Sequence, residues 1–398
     1  MMECGRGGSK MTGTKPETGG KGSAAESEQL RPLPEIKPAE IFKELKRGVL
    51  GQDRALRYVS VAVYKHVTGE VPGNILLIGN SGTGKTTIMN NLQRLYHGVP
   101  EYGPFRSMTI INANLLVDSD RMEFRPDRLF NAVEQRARAL LGPEATAEEL
   151  KAAMERSTVC IDEVDKMAAV VAGKPNAIGV VLQQGLLTLM EGENVAYKTF
   201  AVADGEEQKV TLDIDTSHMM FICGGAFEGL YDQVYLRVIK PGSGEKLKSQ
   251  AVRSADGKVR IETRFSLGDF LKDEDLFIYG MVPQFMARFD SVVMLNDLSG
   301  EVLKEILLKS LDSPFVRSKR YFEVMNISLE IEELAAALIA ESAEKHTRTG
   351  ARALRTIFGK IVNRLEFDPW QFEGLVELPD GGYRMTITAD MVRSHLGV

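Results

Sequence analysis

The chain has 398 residues, of which 43% are hydrophobic and 26% charged, and its formal net charge is −6. These proportions are typical of a soluble globular protein of two or three domains. The acidic balance argues against a protein that coats nucleic acid, although a local basic groove stays compatible with it. No apolar run approaches the roughly 18 residues that a membrane span needs, and the first residues lack the apolar stretch of a signal peptide.

The cysteine content points to a reducing compartment. Cys4, Cys160 and Cys223 are the three cysteines, which are too few for a disulfide framework or a Cys-rich zinc site. The five histidines are scattered and show no metal-binding spacing. We therefore expect a cytoplasmic protein.

Taken in chain order, the sequence begins with residues 1–33, which are rich in Gly, Ser, Lys and Glu and are predicted to be a disordered tail. Short apolar runs then alternate with segments of helical spacing. Strands are predicted at 74–78, 107–113, 158–161 and 219–223, and helices at 86–96, 128–141, 147–156 and 179–191. This alternation predicts an α/β fold with a doubly wound parallel sheet.

Two further boundaries follow from changes in pattern. Residues 232–268 are polar and rich in turn signals, which predicts an inserted loop or hairpin. Residues 298–398 are mainly of helical spacing and finish with two alternating runs around a Gly-Gly turn. The sequence thus predicts a large domain over 34–297 and a smaller helical domain over 298–398 that ends in a hairpin.

A phosphate-binding loop follows the first predicted strand and precedes a helix. The segment reads GNSGTGKT and fits the pattern GxxxxGK[ST]. Its glycines let backbone N–H groups point at phosphate oxygens, and the helix N-terminus adds a favourable partial charge. The predicted nucleotide-binding residues are Gly79, Asn80, Ser81, Gly82, Thr83, Gly84, Lys85, Thr86 and Thr87. Lys85 should reach the β- and γ-phosphates, and the Thr86 hydroxyl should bind Mg²⁺.

An acidic pair ends the predicted strand at 158–161. Asp162 lies at the carboxyl end of that strand, where open parallel sheets bind ligands, and it is suited to hold Mg²⁺ through water. Glu163 is the candidate base that orients and deprotonates the attacking water. The acidic pair favours ATP hydrolysis over simple nucleotide binding.

With these residues in place, the sequence resembles the AAA+ ATPases, and within them the ClpX-type protein unfoldases. Six segments in the same order carry the resemblance, which covers roughly residues 38–395. They are Val49–Gln52 with Val61–His66, Ile161–Lys166, Gln183–Gly192, Asp215–Phe227, Gly280–Phe289 and Thr349–Arg355.

The resemblance implies several roles. Val49 and Leu50 would pack against adenine, with ordinary core packing as the alternative. Arg288 resembles an arginine finger that reaches the ATP of a neighbouring subunit, and Arg352 resembles a residue that contacts the γ-phosphate of its own or an adjacent subunit. An arginine that acts on a neighbour implies a ring, here a homohexamer. The cofactors implied are ATP and Mg²⁺.

The sequence also departs from the family pattern. It carries no four-cysteine zinc domain ahead of residue 38, so recognition of adaptors through such a domain is not expected. The Ile-Gly-Phe tripeptide that docks the family onto its peptidase is missing, because residues 257–268 read GKVRIETRFSLG. A peptidase partner is therefore disfavoured.

The pore loop differs as well. The family pattern has an aromatic-hydrophobic pair flanked by glycines, whereas the segment here reads NLLVDSDRMEFRPD. Met122 and Phe124 are the candidates for gripping a substrate. The charged neighbours of these two residues suggest, as an alternative, a loop that binds one specific partner surface.

We therefore expect an ATP-hydrolysing ring ATPase that remodels, unfolds or disassembles a protein partner without a peptidase. The alternatives are an ATPase subunit of a protease complex and a nucleotide-switched assembly or scaffold factor. A nucleic-acid motor is disfavoured by the acidic charge and by the lack of a basic stripe.

Overall fold

The computed structural model describes residues 32–171, 173–203, 206–253, 259–346 and 349–396. The predicted disordered tail lies outside these residues except for its last two positions. Among the described residues, no helix is both long and apolar enough to cross a membrane.

Strands and helices alternate along the first 300 residues, and helices dominate after them. The strands are β1 (Ile75–Ile78), β2 (Thr109–Asn112), β3 (Val117–Asp118), β4 (Glu123–Phe124), β5 (Thr158–Asp162), β6 (Val170–Val171), β7 (Lys174–Pro175), β8 (Asn194–Ala203), β9 (Glu206–Asp215), β10 (Met220–Gly225), β11 (Lys248–Arg253), β12 (Val259–Arg264), β13 (Ser291–Met294), β14 (Ile327–Ile331), β15 (Leu375–Glu377) and β16 (Tyr383–Ile387). The helices are α1 (Pro38–Gly48), α2 (Asp53–Val67), α3 (Lys85–Gly98), α4 (Pro126–Leu141), α5 (Ala147–Glu155), α6 (Ala177–Met190), α7 (Leu230–Ile239), α8 (Leu267–Phe270), α9 (Asp273–Tyr279), α10 (Pro283–Met286), α11 (Gly300–Lys309), α12 (Pro314–Glu323), α13 (Glu333–Glu344), α14 (Ala351–Phe367) and α15 (Ala389–Leu396).

A five-stranded parallel sheet forms the centre, in the order β13-β1-β10-β5-β2. The register aligns the strand ends, since Asp162 pairs with both Gly224 and Asn112, and Ile78 pairs with Gly225. Because the strands are parallel, these carboxyl ends share one edge of the sheet. The α/β prediction is confirmed.

Helices cover both faces of this sheet. Side chains alternate in direction along a strand, so Leu76 and Ile78 join one apolar cluster while Ile75 and Leu77 join the other. Helices α1, α2 and α3 contribute to the second cluster, and α4 and α6 contribute to the first. Burial on both faces explains why the strands read as continuous apolar runs.

A third apolar cluster contains only residues from Leu298 onward. It is built by helices α11 to α15 and by a small sheet in the order β14-β16-β15. We call residues 298–396 the lid. The separate cluster supports the predicted boundary, which stays a prediction. The hairpin β15–β16 is present, but the lid does not end there as predicted, because helix α15 follows and buries Val392.

The segment predicted as an insertion differs in part. It overlaps helix α7, which buries Leu230, Val234 and Val238 at helical spacing. The turn signals at 241–244 follow this helix, and the antiparallel pair β11–β12 comes after them. The prediction of a loop was therefore wrong for residues 232–239, where the i, i+4 pattern decides the structure.

A long antiparallel hairpin, β8–β9, was not predicted at all. Most of β9 is exposed, so its sequence has no clear apolar alternation. A buried carboxylate holds the hairpin instead: Glu134 on α4 accepts hydrogen bonds from the Tyr197 hydroxyl at 2.5 Å and from the Thr199 hydroxyl. Tertiary hydrogen bonds of this kind leave little trace in a local pattern.

His66 on α2 makes the stability of the fold depend on pH. It is buried, with its ring edge-on to Phe105 and its Nε2 donating to the Arg156 carbonyl at 3.2 Å. Burial lowers the pKa of His66 to about 4. Below pH 6.5 the unfolded chain binds this proton more readily than the folded chain, so the free energy of unfolding should fall by about 3 kcal/mol as the pH drops from 6.5 to 4.

Urea unfolding at pH 7, 6, 5 and 4.5 measures this dependence. His66→Gln keeps a donor but cannot titrate, so its free energy of unfolding should change less steeply over the same range. An identical slope in parent and variant would contradict the assignment to His66.

Candidate nucleotide site

The phosphate loop connects β1 to α3 along the carboxyl edge of the sheet. Gly82 and Gly84 have φ angles of 76° and 111°, which side-chain-bearing residues adopt only with strain. Lys85 begins α3 and is buried, and its Nζ donates to the carbonyl oxygens of Gly79 at 2.5 Å and Asn80 at 3.0 Å. The lysine is therefore held within the loop whose phosphate ligands it is predicted to contact.

Three predicted site residues, Lys85, Asp162 and Arg352, interact through their charges. Burial lowers the pKa of the Lys85 ammonium, the nearby carboxylates of Asp162 and Asp165 raise it, and the Arg352 guanidinium lowers it further. Asp162 and Arg352 thus lie close enough to Lys85 to act on its charge. A glycine-rich loop at a helix N-terminus, with Lys85 and Arg352 acting on the same region, suits a polyphosphate.

The predicted magnesium residues are in direct contact. The Thr86 hydroxyl donates to Asp162 Oδ2 at 2.7 Å. Hydroxyl and carboxylate oxygens are the hard donors that Mg²⁺ prefers, and phosphate oxygens and water usually supply the rest. Among the described residues, no group of three His, Cys, Asp or Glu side chains could hold a metal alone. The pair therefore fits Mg²⁺ bound together with a nucleotide.

Glu163 turns away from the strand in a left-handed conformation, with φ of 61°. Its backbone N–H donates to Asp162 Oδ1 at 2.9 Å, and its carboxylate Oε2 accepts from Asn112 Nδ2 at 2.6 Å. The sequence analysis missed Asn112. A polar residue directly after the apolar run of a neighbouring strand was the available signal, but the pairing of β2 with β5 is what makes it meaningful.

The end of β10 carries no polar side chain. A Cβ on Gly225 would lie 2.9 Å from Asp165 Oδ1, so glycine is the residue that fits there. Asp165 is buried, and its Oδ1 accepts from the backbone N–H of Ala226 at 3.1 Å. Asp165 therefore fixes the turn after Glu163 to the turn after β10.

The lid meets the phosphate loop directly. The Ala351 N–H donates to the Gly82 carbonyl at 3.1 Å, and a Cβ on Gly82 would lie 2.3 Å from the Thr349 carbonyl oxygen. Helix α14 thus begins against the loop, and the backbone nitrogen of Arg352 in its first turn would lie 3.1 Å from a Cβ on Gly82. The sequence could not predict this contact, because the two segments lie about 270 residues apart in the chain.

Val49 and Leu50 differ from each other. Val49 is 2% exposed and belongs to the apolar cluster under α1, α2 and α3, whereas Leu50 is half-buried. Val49 therefore packs in the core of the described chain, and its contact with adenine stays a prediction. Gln52, which was not predicted as a site residue, is buried and donates to the Thr83 carbonyl in the phosphate loop at 2.9 Å.

Arg288 lies at the amino-terminal ends of the sheet strands, at the end opposite the phosphate loop. Its carbonyl accepts from Asn74 Nδ2 at 3.1 Å, just ahead of β1, and its guanidinium pairs with Glu191. At about 3.3 Å per residue, the strand separates Asn74 from Gly79 by roughly 16 Å. The structure therefore does not bring Arg288 to the phosphate loop of its own chain.

The two pore-loop candidates have different surroundings. Met122 is 45% exposed at the turn between β3 and β4 and has φ of 51°. Phe124 is half-buried against α6, where a Cβ on Gly185 would lie 2.2 Å from its Cγ. The structure therefore presents Met122 to solvent and packs Phe124 inward, so Phe124 is not a free gripping side chain in this conformation.

Comparison with known proteins identifies the family. The model of the AAA domain (Cdc48 subfamily) matches residues 71–292, more than half of the chain. The chain belongs to the AAA ATPases. It is 29% identical over 371 residues to the ATP-dependent Clp protease ATP-binding subunit ClpX of Bacteroides thetaiotaomicron, which covers 88% of this chain and 81% of the relative. The ClpX of Bacteroides fragilis is 28% identical, with 88% and 80% covered.

These findings confirm an ATP-hydrolysing AAA+ enzyme similar to ClpX. The matched residues begin just ahead of β1 and end within β13, so they include four complete strands of the central sheet, the phosphate loop and the acidic pair Asp162 and Glu163. The lid lies beyond this match, but the ClpX alignments cover most of the chain.

Asn112 should matter for turnover. Its amide holds Oε2 of the carboxylate of Glu163, the predicted catalytic base. We expect Asn112→Ala to lower kcat about tenfold with little change in KM, because a mobile base loses orientation rather than nucleotide binding. Steady-state ATP turnover measures both constants. Asn114→Ala, two residues along, is the matched control, and an unchanged or raised kcat in Asn112→Ala would refute the role.

Proposed function

We propose that the protein is a ring ATPase that remodels, unfolds or disassembles a protein partner, with no peptidase required. The observation that carries the proposal is the position of Arg288. It belongs to a segment that resembles an arginine-finger segment, yet it lies at the sheet edge opposite its own phosphate loop. If this arginine acts on a nucleotide, that nucleotide belongs to another copy of the chain, which is the arrangement of the homohexameric ring that we propose.

The assignment of the chemistry rests on the carboxyl edge of the sheet. Lys85 would bind the β- and γ-phosphates, Glu163 would accept the proton of the attacking water, and Arg352 would stabilise charge on the γ-phosphate. Thr86 and Asp162 would hold Mg²⁺, which neutralises charge on phosphate oxygens when it is bound. Arg288 of a neighbouring copy would complete the site.

Action on a polypeptide is supported by the loops that follow the site. The turn at Met122 lies between β2 and α4, and the hairpin β6–β7 follows the turn after Glu163. Val170 and Val171 on that hairpin are 44% and 50% exposed, and Met122 is exposed as well. Apolar side chains on loops next to an ATP site suit transient contact with an extended chain.

Independence from a peptidase is supported by Phe265. Its ring packs edge-on against Tyr231 and Tyr235 at centroid distances of 4.7 and 5.3 Å, and it stacks on Phe270 at 5.5 Å. Phe265 is therefore engaged within the domain, and no Ile-Gly-Phe tripeptide accompanies it. The second candidate is an ATPase subunit of a protease, which is favoured because the ClpX relatives are ATP-binding subunits of an ATP-dependent protease.

The first test is assembly. Glu163→Gln should bind ATP without hydrolysing it, so multi-angle light scattering with ATP should show a species six times the chain mass. Lys85→Ala is the control, which should bind no nucleotide and stay small. A Glu163→Gln protein that binds ATP yet never assembles would count against the ring and against the role of Arg288 in a neighbour's site.

The second test separates action within a chain from action between chains. Arg288→Ala and Glu163→Gln should each be inactive alone, because every site lacks one group. Rings assembled from equal amounts of both variants contain some interfaces with an intact Glu163 and a neighbour's intact Arg288, so about a quarter of the sites should regain turnover. No recovery in verified mixed rings would mean that Arg288 does not act in trans.

A further inference from the structure

Gln52 is a buried side chain that joins two distant segments. It is 1% exposed and precedes helix α2. Its Nε2 donates to the Thr83 carbonyl at 2.9 Å and to the Asn296 carbonyl at 2.8 Å, and its Oε1 accepts from the Asn296 N–H at 2.9 Å. The side-chain amide is thus fully engaged with backbone groups of two other segments.

The two segments differ in what they do. Thr83 lies within the phosphate loop. Asn296 lies where the chain passes from the large domain to the lid, because Leu295 belongs to a cluster under the central sheet and Leu298 belongs to the lid cluster. We call residues 295–298 the hinge. Gln52 therefore connects the phosphate loop to the hinge.

Two neighbouring contacts strengthen this connection. Asn80 Nδ2, also in the phosphate loop, donates to Asp297 Oδ1 in the hinge at 2.9 Å. Gly51 has φ of 76°, and a Cβ there would lie 2.7 Å from Val302 Cγ1 on α11 of the lid. The residue before Gln52 thus packs on the lid. A shift of this turn would therefore displace both the lid helix α11 and the groups that Gln52 binds in the phosphate loop and the hinge.

We propose that Gln52 is a positioning residue that couples the phosphate loop to the hinge, so that phosphate binding and lid orientation change together. The proposal rests on the assignment of ATP to residues 79–86. A buried amide that loses its partners has a large free-energy cost, so the Thr83 and Asn296 backbones should move as one unit with Gln52. The lid then responds at the hinge as well as at the contact between Gly82 and Ala351.

Hydrogen exchange of the full chain tests this coupling. Exchange is followed at the hinge and at helix α11, with and without a saturating non-hydrolysable ATP analogue, and a fluorescent nucleotide measures binding separately. In the parent, the analogue should slow exchange of both segments about tenfold. Gln52→Met keeps the shape but removes the hydrogen bonds, and it should still bind nucleotide while losing this slowing.

Gln183 provides the matched control. It is also fully buried, and it also makes three hydrogen bonds to backbone groups, those of Met167, Gly280 and Val282, none of which belongs to the phosphate loop or the hinge. Gln183→Met should lower thermal stability much as Gln52→Met does, yet keep the slowing at the hinge and α11.

Several results would overturn the coupling. A Gln52→Met protein that responds like the parent overturns it, and so does a Gln183→Met protein that loses the response equally. A Gln52→Met protein that binds no nucleotide at any concentration overturns it too, because Gln52 is then part of the binding site instead. A parent that binds the analogue without any change at the hinge also overturns it and leaves the proposed ATP site intact. A parent that binds no nucleotide overturns the proposed site as well.

Discussion

The structure depends on one constraint, the register of the parallel strands at the carboxyl edge of the sheet. Pairing β1 with β10, β10 with β5 and β5 with β2 places the phosphate loop, Asp162 and Asn112 along a single line. A shift of one residue would turn each strand's side chains to the other face and separate these groups. Apolar clusters on both faces hold the register, so the core fixes the geometry of the site.

The phosphate loop is also where the two parts of the chain meet. The lid touches it through Ala351 and Gly82, and the hinge touches it through Gln52 and Asn80. A loop held from both sides cannot change shape alone, since each of these contacts would have to break or follow. These contacts are the basis of the proposed coupling between nucleotide binding and lid orientation.

The sequence predicted the elements of the site better than their surroundings. The phosphate loop has a fixed spacing set by backbone chemistry, and Asp162 follows an unmistakable apolar run, so both could be placed by pattern. Asn112 and Gln52 could not, because each acts through partners far along the chain. Phe124 was a candidate for gripping a substrate and is half-buried, since whether an aromatic side chain projects or packs depends on the space left by Gly185.

By itself, the sequence determined the fold class and the nucleotide chemistry, because local periodicity and a short motif encode these properties, and six ordered segments carried the resemblance to the ClpX-type ATPases. The tertiary structure decided which residues meet: Asn112 with Glu163, Gln52 with Asn296, and Thr349 to Arg352 with the phosphate loop. It also placed Arg288 at the edge away from its own site. These relations are set by strand order and by packing between distant segments, neither of which any local pattern records.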